Sequence, residues 1–362
     1  MSIIIFRFLV RKIPSSIFNR FETAKKFFHF SSTLHNFNFA KLSSKNFISI
    51  SGPESIDFLQ GLVTNDVRYL VKDCCQNNCI YSFMLIKNGR IISDLFIYKF
   101  RHENDDDNQL LLEVDERLRP NLVALLKRYK IKRKIAISKL DKFQSFVLYP
   151  NFIEKSIILK LPDAFDGFQQ KNSTILALDP RNNHFGCKII SRENIVIDDL
   201  VKQFGSNSES EMKLFETNED HYRLFRYQYG VGEGLIDFPP ENFFPLETNG
   251  DLLNAISFKK GCYVGQELTA RTYHTGVVRK RIMPVKIIDL IQKETLPPQN
   301  VIDANNGGKL VGRFRTNLNE NGLATLKFDE INFQNSNLKL STSGHRITAW
   351  KPSWWPDKLR QQ

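Results

Sequence analysis

The sequence predicts an α+β fold that ends in a small β-barrel, and three observations predict it. Short apolar runs with strand-like alternation are interleaved with helical stripes through the first part of the chain. Lys87-Asn88-Gly89-Arg90 separates the apolar runs 81–86 and 91–100, a hairpin signal because both central positions of a type I′ turn need positive φ, which Asn-Gly accepts. Past residue 276 the pattern changes to short strands at 277–288, 309–315, 322–328 and 347–350, spaced by turns such as Asn305-Asn306-Gly307-Gly308. With 362 residues, 41% of them hydrophobic and 25% charged, the chain can bury a sizeable core and divides into two or three units.

Ordered structure is expected from about Asn38, and 47–50 alternates as a strand. Gly52-Pro53-Glu54 then opens a helix, with Glu54 and Asp57 facing the positive end of its dipole and Ile56, Leu59 and Val63 as its apolar stripe. After the hairpin come an acidic turn at 105–107, a strand at 110–114 and a helix over 119–129, where Leu122, Leu125, Leu126 and Tyr129 recur at helical spacing. The basic run Lys127, Arg128, Lys130, Lys132, Arg133, Lys134 reads as a solvated helix end leading into an edge strand, with contact to an acidic partner as the alternative. Residues 141–200 read as further strands and turns, and 204–220 as a loop or a frayed helix. Trp350, Trp354 and Trp355 read as an aromatic plug of the barrel.

The 51 Lys and Arg outnumber the 39 Asp and Glu, a formal +12 that suits phosphates, polycarboxylates or an acidic protein. No RNP-like signature, paired zinc-ligand cluster or Arg-rich helix appears, so nucleic acid is not the expected partner. Cysteines fall at 74, 75, 79, 187 and 262, an odd set without regular spacing that argues for a reducing compartment. The spacing of Cys74, Cys75 and Cys79 fits no common zinc or ferredoxin pattern, and Cys187 is expected to be structural. No run of about 18 apolar residues occurs, so an integral membrane protein is not expected. Residues 1–40 carry Arg7, Arg11, Lys12, Arg20, Lys25 and Lys26 against the single Glu22, the acid-poor composition of a mitochondrial presequence, with cleavage expected between 20 and 40.

The most informative segment is 242–283, where Lys259-Lys260-Gly261-Cys262-Tyr263-Val264-Gly265-Gln266-Glu267 sets one thiol between two glycines, directly after two cations. Positive charge beside a thiol favours the thiolate, and the glycines let other groups approach the backbone. Such a cysteine suits a nucleophile, a redox relay or a soft-metal ligand; the plainer reading is a small buried hydrophobe. His274, twelve residues on, is read as a turn histidine before it is read as a proton-transfer partner.

The run KGCYVGQE resembles the signature of the YgfZ-type branch of the aminomethyltransferase-like family. Five further stretches follow in the family's order: FLQGLVTNDV at 58–67, NGRIISDLFIY at 88–98, LDPR at 178–181, YRLFRYQYGVGEG at 222–234 and HTGVVRKR at 274–281. The resemblance covers about residues 40–285 and continues more weakly into the barrel. It implies a cloverleaf of mixed α/β units around a channel that holds tetrahydrofolate in the true aminomethyltransferases. The units are then a transit peptide at 1–37, an aminomethyltransferase-like folate-binding region of two α+β units at 38–275, and a C-terminal β-barrel domain at 276–362.

The function the resemblance implies is late assembly of 4Fe-4S proteins such as aconitase and lipoyl synthase in the mitochondrial matrix, together with A-type iron-sulfur carrier proteins. Cys262 takes the place of the signature cysteine, the expected site of action and a transient ligand of an iron-sulfur cluster shared with a partner. Lys260, Gly261, Tyr263, Gly265 and Gln266 fill the rest of the signature. Asp94, Arg226, Gln228, Glu267 and Arg271 are the residues the resemblance offers to folate, with Tyr227 beside them in the channel. Asp94 falls where the aminomethyltransferases place an acid, but they carry two adjacent aspartates and here Ser93 precedes it. Their TGYTGEDG-like segment is replaced by LDPRNNHFGCKII at 178–190. A catalytic aminomethyltransferase is therefore not expected, and folate-dependent one-carbon transfer stands as the alternative.

Overall fold

The computed structural model describes residues 35–71, 78–100, 109–152, 174–192, 212–356 and 359. The expectations for the amino-terminal segment, for Cys74 and Cys75 and for the acidic turn at 105–107 lie outside the described residues. In chain order the elements are β1 (His35–Lys41), β2 (Lys45–Ser51), α1 (Ser55–Gln60), β3 (Cys79–Leu85), β4 (Ile91–Phe100), β5 (Gln109–Asp115), α2 (Arg119–Lys130), β6 (Ala136–Leu140) and β7 (Gln144–Pro150). There follow β8 (Thr174–Leu178), β9 (Cys187–Ser191), β10 (Met212–Thr217), α3 (Glu219–Gln228), α4 (Gly234–Asp237) and α5 (Gln266–Thr275). The last six strands are β11 (Arg281–Ile287), β12 (Gln299–Asp303), β13 (Lys309–Leu318), β14 (Asn321–Leu326), β15 (Leu338–Leu340) and β16 (Arg346–Ala349).

These strands form two five-stranded sheets, ordered β10-β1-β7-β9-β8 and β3-β4-β5-β2-β6, and a closed barrel ordered β11-β14-β13-β12-β15-β16. The second sheet is covered on both faces, which explains its long apolar runs. Alternation sends Tyr81, Phe83, Phe96, Tyr98 and Leu111 into a core shared with the first sheet and the barrel, which supply Ile175, Ile190, Ile282 and Leu323. Their neighbours Ile80, Met84, Leu95, Ile97 and Leu112 turn the other way and pack under α1 and α2. The barrel holds its own core, with Val285, Phe314, Leu326 and Trp355 inside.

Several elements differ in detail from their expected form. β1 begins at His35 because it is pinned on both sides, parallel to β10 and antiparallel to β7. The buried positions of α1 are Ser55, Phe58 and Leu59, with Leu62 and Val63 just beyond; Ile56 is half-buried. The hairpin keeps its place but not its turn type: Asn88 has no positive φ, and only Gly89, at φ 81°, adopts the left-handed region. Gly89 donates to the Ile86 carbonyl and Ile86 to that of Arg90, a longer loop that needs one left-handed residue. Residues 212–217 form β10, since a parallel partner in β1 stabilises a strand that polarity alone would not suggest. β12 and β15 went unread because they are short and polar between turns. The basic run does end a helix at Lys130 and lead to the edge strand β6.

A buried polar seam joins the two sheets. Glu113 on β5 accepts from Lys188 Nζ on β9 at 3.0 Å, from Ser145 Oγ on β7 at 2.7 Å and from Tyr98 Oη on β4 at 2.6 Å. Glu233 receives Lys45 of β2 at 2.9 Å and Arg181, which follows β8, at 2.7 Å. Arg181 is 1% exposed and is also held by Asp179 and Tyr222. Burial alone would raise the Glu233 carboxyl, but Lys45, Lys188, Arg181 and Arg226 together hold it well below its ordinary value.

Replacing Glu233 by Ala should cost about 3–5 kcal/mol in urea unfolding, because two buried cations lose their counter-ion. A carboxylate held low stabilises the fold above its ordinary value of 4.5 and loses that contribution as pH falls through the depressed value. The acid limb of the stability curve should therefore be shallower in Glu233→Gln than in the parent chain.

Candidate functional site

The segment between Ile256 and α5 crosses the surface of the second sheet and carries the signature. Cys262 lies at its turn and is exposed, whereas Cys79 and Cys187 are buried. Burial pushes the Cys187 thiol up to about 12 and the Cys79 thiol well above its ordinary value, so neither is a nucleophile at neutral pH.

Residues around Cys262 are fastened at four points. Lys260 Nζ donates to the carbonyls of Val63 at 2.6 Å and Asn65 at 2.7 Å, in the turn after α1. Its ammonium also stands 5.1 Å from the Tyr263 ring centroid. Val264 donates to the Gly61 carbonyl at 3.1 Å. The Gln266 side chain accepts from the Tyr263 amide at 3.1 Å. Gly265, at φ 80°, lies against the β3–β4 hairpin, where a Cβ would collide with the Ile86 carbonyl oxygen and crowd Leu85 and Gly89. Asn65 secures the receiving turn by donating to Tyr81 and Asn254 carbonyls at 2.8 and 2.7 Å.

The signature lysine therefore has a different task from the one its position suggests. Its charge is directed to two carbonyl oxygens of another segment, and burial lowers its pKa to about 8, with Asp66 opposing and Arg68 assisting. Gly261 has open space around it, so the motif's close approach belongs to Gly265. Glu267, Arg271 and His274 are exposed on α5, and His274 sits in its last turn with the Phe258 and Tyr273 rings as neighbours.

Asp94 and Arg226 belong to the polar seam. Asp94, 2% exposed, accepts from the Gly234 amide at 3.0 Å and from Tyr81 Oη at 3.3 Å. Burial raises its pKa, with Lys45 opposing. Arg226 donates to Asp237 at 2.6 Å and to the Val231 carbonyl at 3.0 Å, and Tyr227 Oη donates to Asp237 at 2.6 Å. Beside the seam opens a cavity of about 810 Å³, lined in part by Phe39, Phe146, Ile236, Lys45, Arg226 and Glu233. Of the five residues offered to folate, Arg226 alone lines it; Gln228, Glu267 and Arg271 are exposed elsewhere. The cavity is charge-balanced: Lys41, Lys45, Arg117, Arg223 and Arg226 face Asp115, Glu216, Glu219, Asp220 and Glu233. Four of those cations are already ion-paired. The residues present thus do not offer folate the free charges that its tail requires.

Two sheets wrapped on a shared core with a terminal barrel define the aminomethyltransferase-like fold. The glycine cleavage system aminomethyltransferase T from Bartonella henselae has this fold with a TM-score of 0.59 at 12% identity, over 90% of this chain and 87% of that one. Residues 279–357 match the CAF17 C-terminal beta-barrel domain. The mouse mitochondrial iron-sulfur cluster assembly factor IBA57 is 30% identical over 87% of this chain and 85% of its own length. The Mycosarcoma maydis homologue is 29% identical over 90% and 86%. The chain belongs to the IBA57 family of iron-sulfur cluster assembly factors, whose members compared here are mitochondrial.

Gly265→Ala should lower stability by about 1–3 kcal/mol and raise amide exchange across 261–265, because a side chain there is strained in φ and meets a carbonyl. Lys260→Met should raise exchange in the same amides while leaving α2 and the barrel unchanged; equal exchange in both variants and the parent would remove the clamp.

Proposed function

We propose that the chain acts late in the maturation of 4Fe-4S proteins of the aconitase and lipoyl synthase type, with Cys262 as a thiolate that shares an iron-sulfur centre with an A-type carrier protein in the mitochondrial matrix. The exposure of Cys262 on a loop clamped on both sides carries this reading, since the other described thiols are sealed in the core. A soft thiolate suits iron, and the cluster is cargo in this scheme.

Ligand counting sets the mechanism. The common clusters take four protein ligands, and one cysteine supplies one. Among the described residues no three His, Cys, Asp or Glu side chains lie together as a metal site. The remaining thiolates come from the carrier or from a small thiol, so Cys262 acts during hand-over and does not store a cluster. The amino-terminal segment serves as the transit peptide, ending ahead of β1 at His35 and not at 37 because Phe37 is buried in the first sheet; the chain up to 275 serves as the aminomethyltransferase-like region and 276–362 as the barrel domain.

Folate-dependent aminomethyl transfer is the second reading, favoured by the fold alone. Asp94 has its carboxylate hydrogen-bonded inside the seam, and the cavity beside Arg226 has its cations paired, so no transfer step is assigned to these residues. Tetrahydrofolate enters this scheme only as a ligand the cavity has room for.

Cells carrying Cys262→Ala should lose aconitase activity and protein lipoylation, whereas the aminomethyl-transfer reading predicts one-carbon defects with aconitase and lipoylation spared. Full activity of the variant would leave a scaffold without a thiol role. A stable, stoichiometric cluster on the isolated monomer with no added thiol would falsify the hand-over scheme.

A further inference from the structure

The outside of the signature segment has a composition that the clamps do not explain. Phe258 and Tyr273 stack with ring centroids 3.4 Å apart and planes within 9°, so the chain from 258 to 274 closes on itself and the Cys262 turn and α5 form one unit. Phe258, Tyr263, Tyr273 and Val278 turn inward against the shared core. Outward stand Lys259, Arg271, Arg279 and Lys280, all exposed, with Val277 55% exposed among them. Among the described residues none of these four cations has an ion-pair partner, a state they share with exposed cations such as Lys127, Arg128 and Lys132, but here they fall in one short stretch with the exposed Cys262. Glu267 is the one acid among the exposed residues of this stretch.

We propose that the outer surface of residues 259–280 is the docking face for a partner protein whose contact surface is acidic, and this rests on the reading that Cys262 shares a cluster with that partner. Uncompensated cations around a thiol complement an anionic guest, and a thiolate-ligated iron-sulfur cluster is anionic because its sulfide and thiolate charges exceed those of its irons. Single-stranded nucleic acid would need exposed rings for bases to stack on, and the rings here face the core. The cations steer and orient the partner, and the clamped turn presents the thiol to it.

The test uses the full chain titrated with a cluster-loaded A-type carrier protein, read by calorimetry for affinity and by visible absorption for cluster ligation. The reversal Lys259→Glu with Arg279→Glu and Lys280→Glu should weaken association at least about tenfold, and the parent affinity should fall as salt rises. An equal reversal on the far basic run, Lys127→Glu with Arg128→Glu and Lys132→Glu, should stay within about threefold, which separates local complementarity from net charge. Cys262→Ser should also bind within about threefold but lose the change in cluster spectrum, since docking and ligation are separate terms. Equal weakening by both reversals, or none by the first, overturns the docking face and leaves the thiol reading standing. A Cys262→Ser variant that docks and still produces the parent's full change in cluster spectrum supports the face and overturns the thiol reading. Loss of affinity for a single-stranded RNA probe, with the carrier unaffected, overturns the face as a protein site.

Discussion

The buried carboxylate of Glu233 is the constraint on which the rest is arranged. Lys45 comes from the second sheet, Arg181 from the first, and the loop that carries Glu233 links α3 to α4, so one anion fixes the relation of three segments. Ions taken out of water repay their desolvation only when geometry and partners are complete. Arg181 also bonds Asp179 and Tyr222, and Arg226 bonds Asp237 and Val231 while its Nε, 4.0 Å from Glu233, is left without a hydrogen bond. A seam of this kind specifies one packing of the sheets, because a shift of either would strand a charge. Of the residues associated with folate, Asp94 and Arg226 are occupied within this seam, by Gly234 and Tyr81 and by Asp237 and Val231.

The signature is a second, smaller instance of this logic. Two of its side-chain or glycine positions, Lys260 and Gly265, hold the loop to other parts of the fold, Gln266 ties it to itself, and the thiol is left exposed beside Lys259. Lys260 and Cys262 are neighbours in sequence with opposite tasks, one buried against carbonyls and one exposed. The family motif is thus mostly a mounting for a single sulfur atom.

Much of this was legible in the sequence. Alternation located β2, apolar runs about Asn88-Gly89 located β3 and β4, helical spacing located α2, and the change past residue 276 located the barrel, because each signal reports how an element meets the core. The strands that stayed hidden, β10, β12 and β15, are made by their partners and not by their own composition. At the site the signature that places Cys262 on the surface could be read directly from residue type, but the local charge could not, since Lys260 is turned to backbone carbonyls. The acceptors of Lys260 could not, because they are backbone carbonyls of Val63 and Asn65 that any residue would supply. The five residues associated with folate share chemistry but come from elements whose orientation only the packed sheets decide.

The contact between Gly89 and Gly265 couples the length of one hairpin to the height at which a cysteine stands above the surface. A side chain at Gly265 would drive into the Ile86 carbonyl, so the spacing between this hairpin and the thiol-bearing loop is set by the thickness of bare backbone.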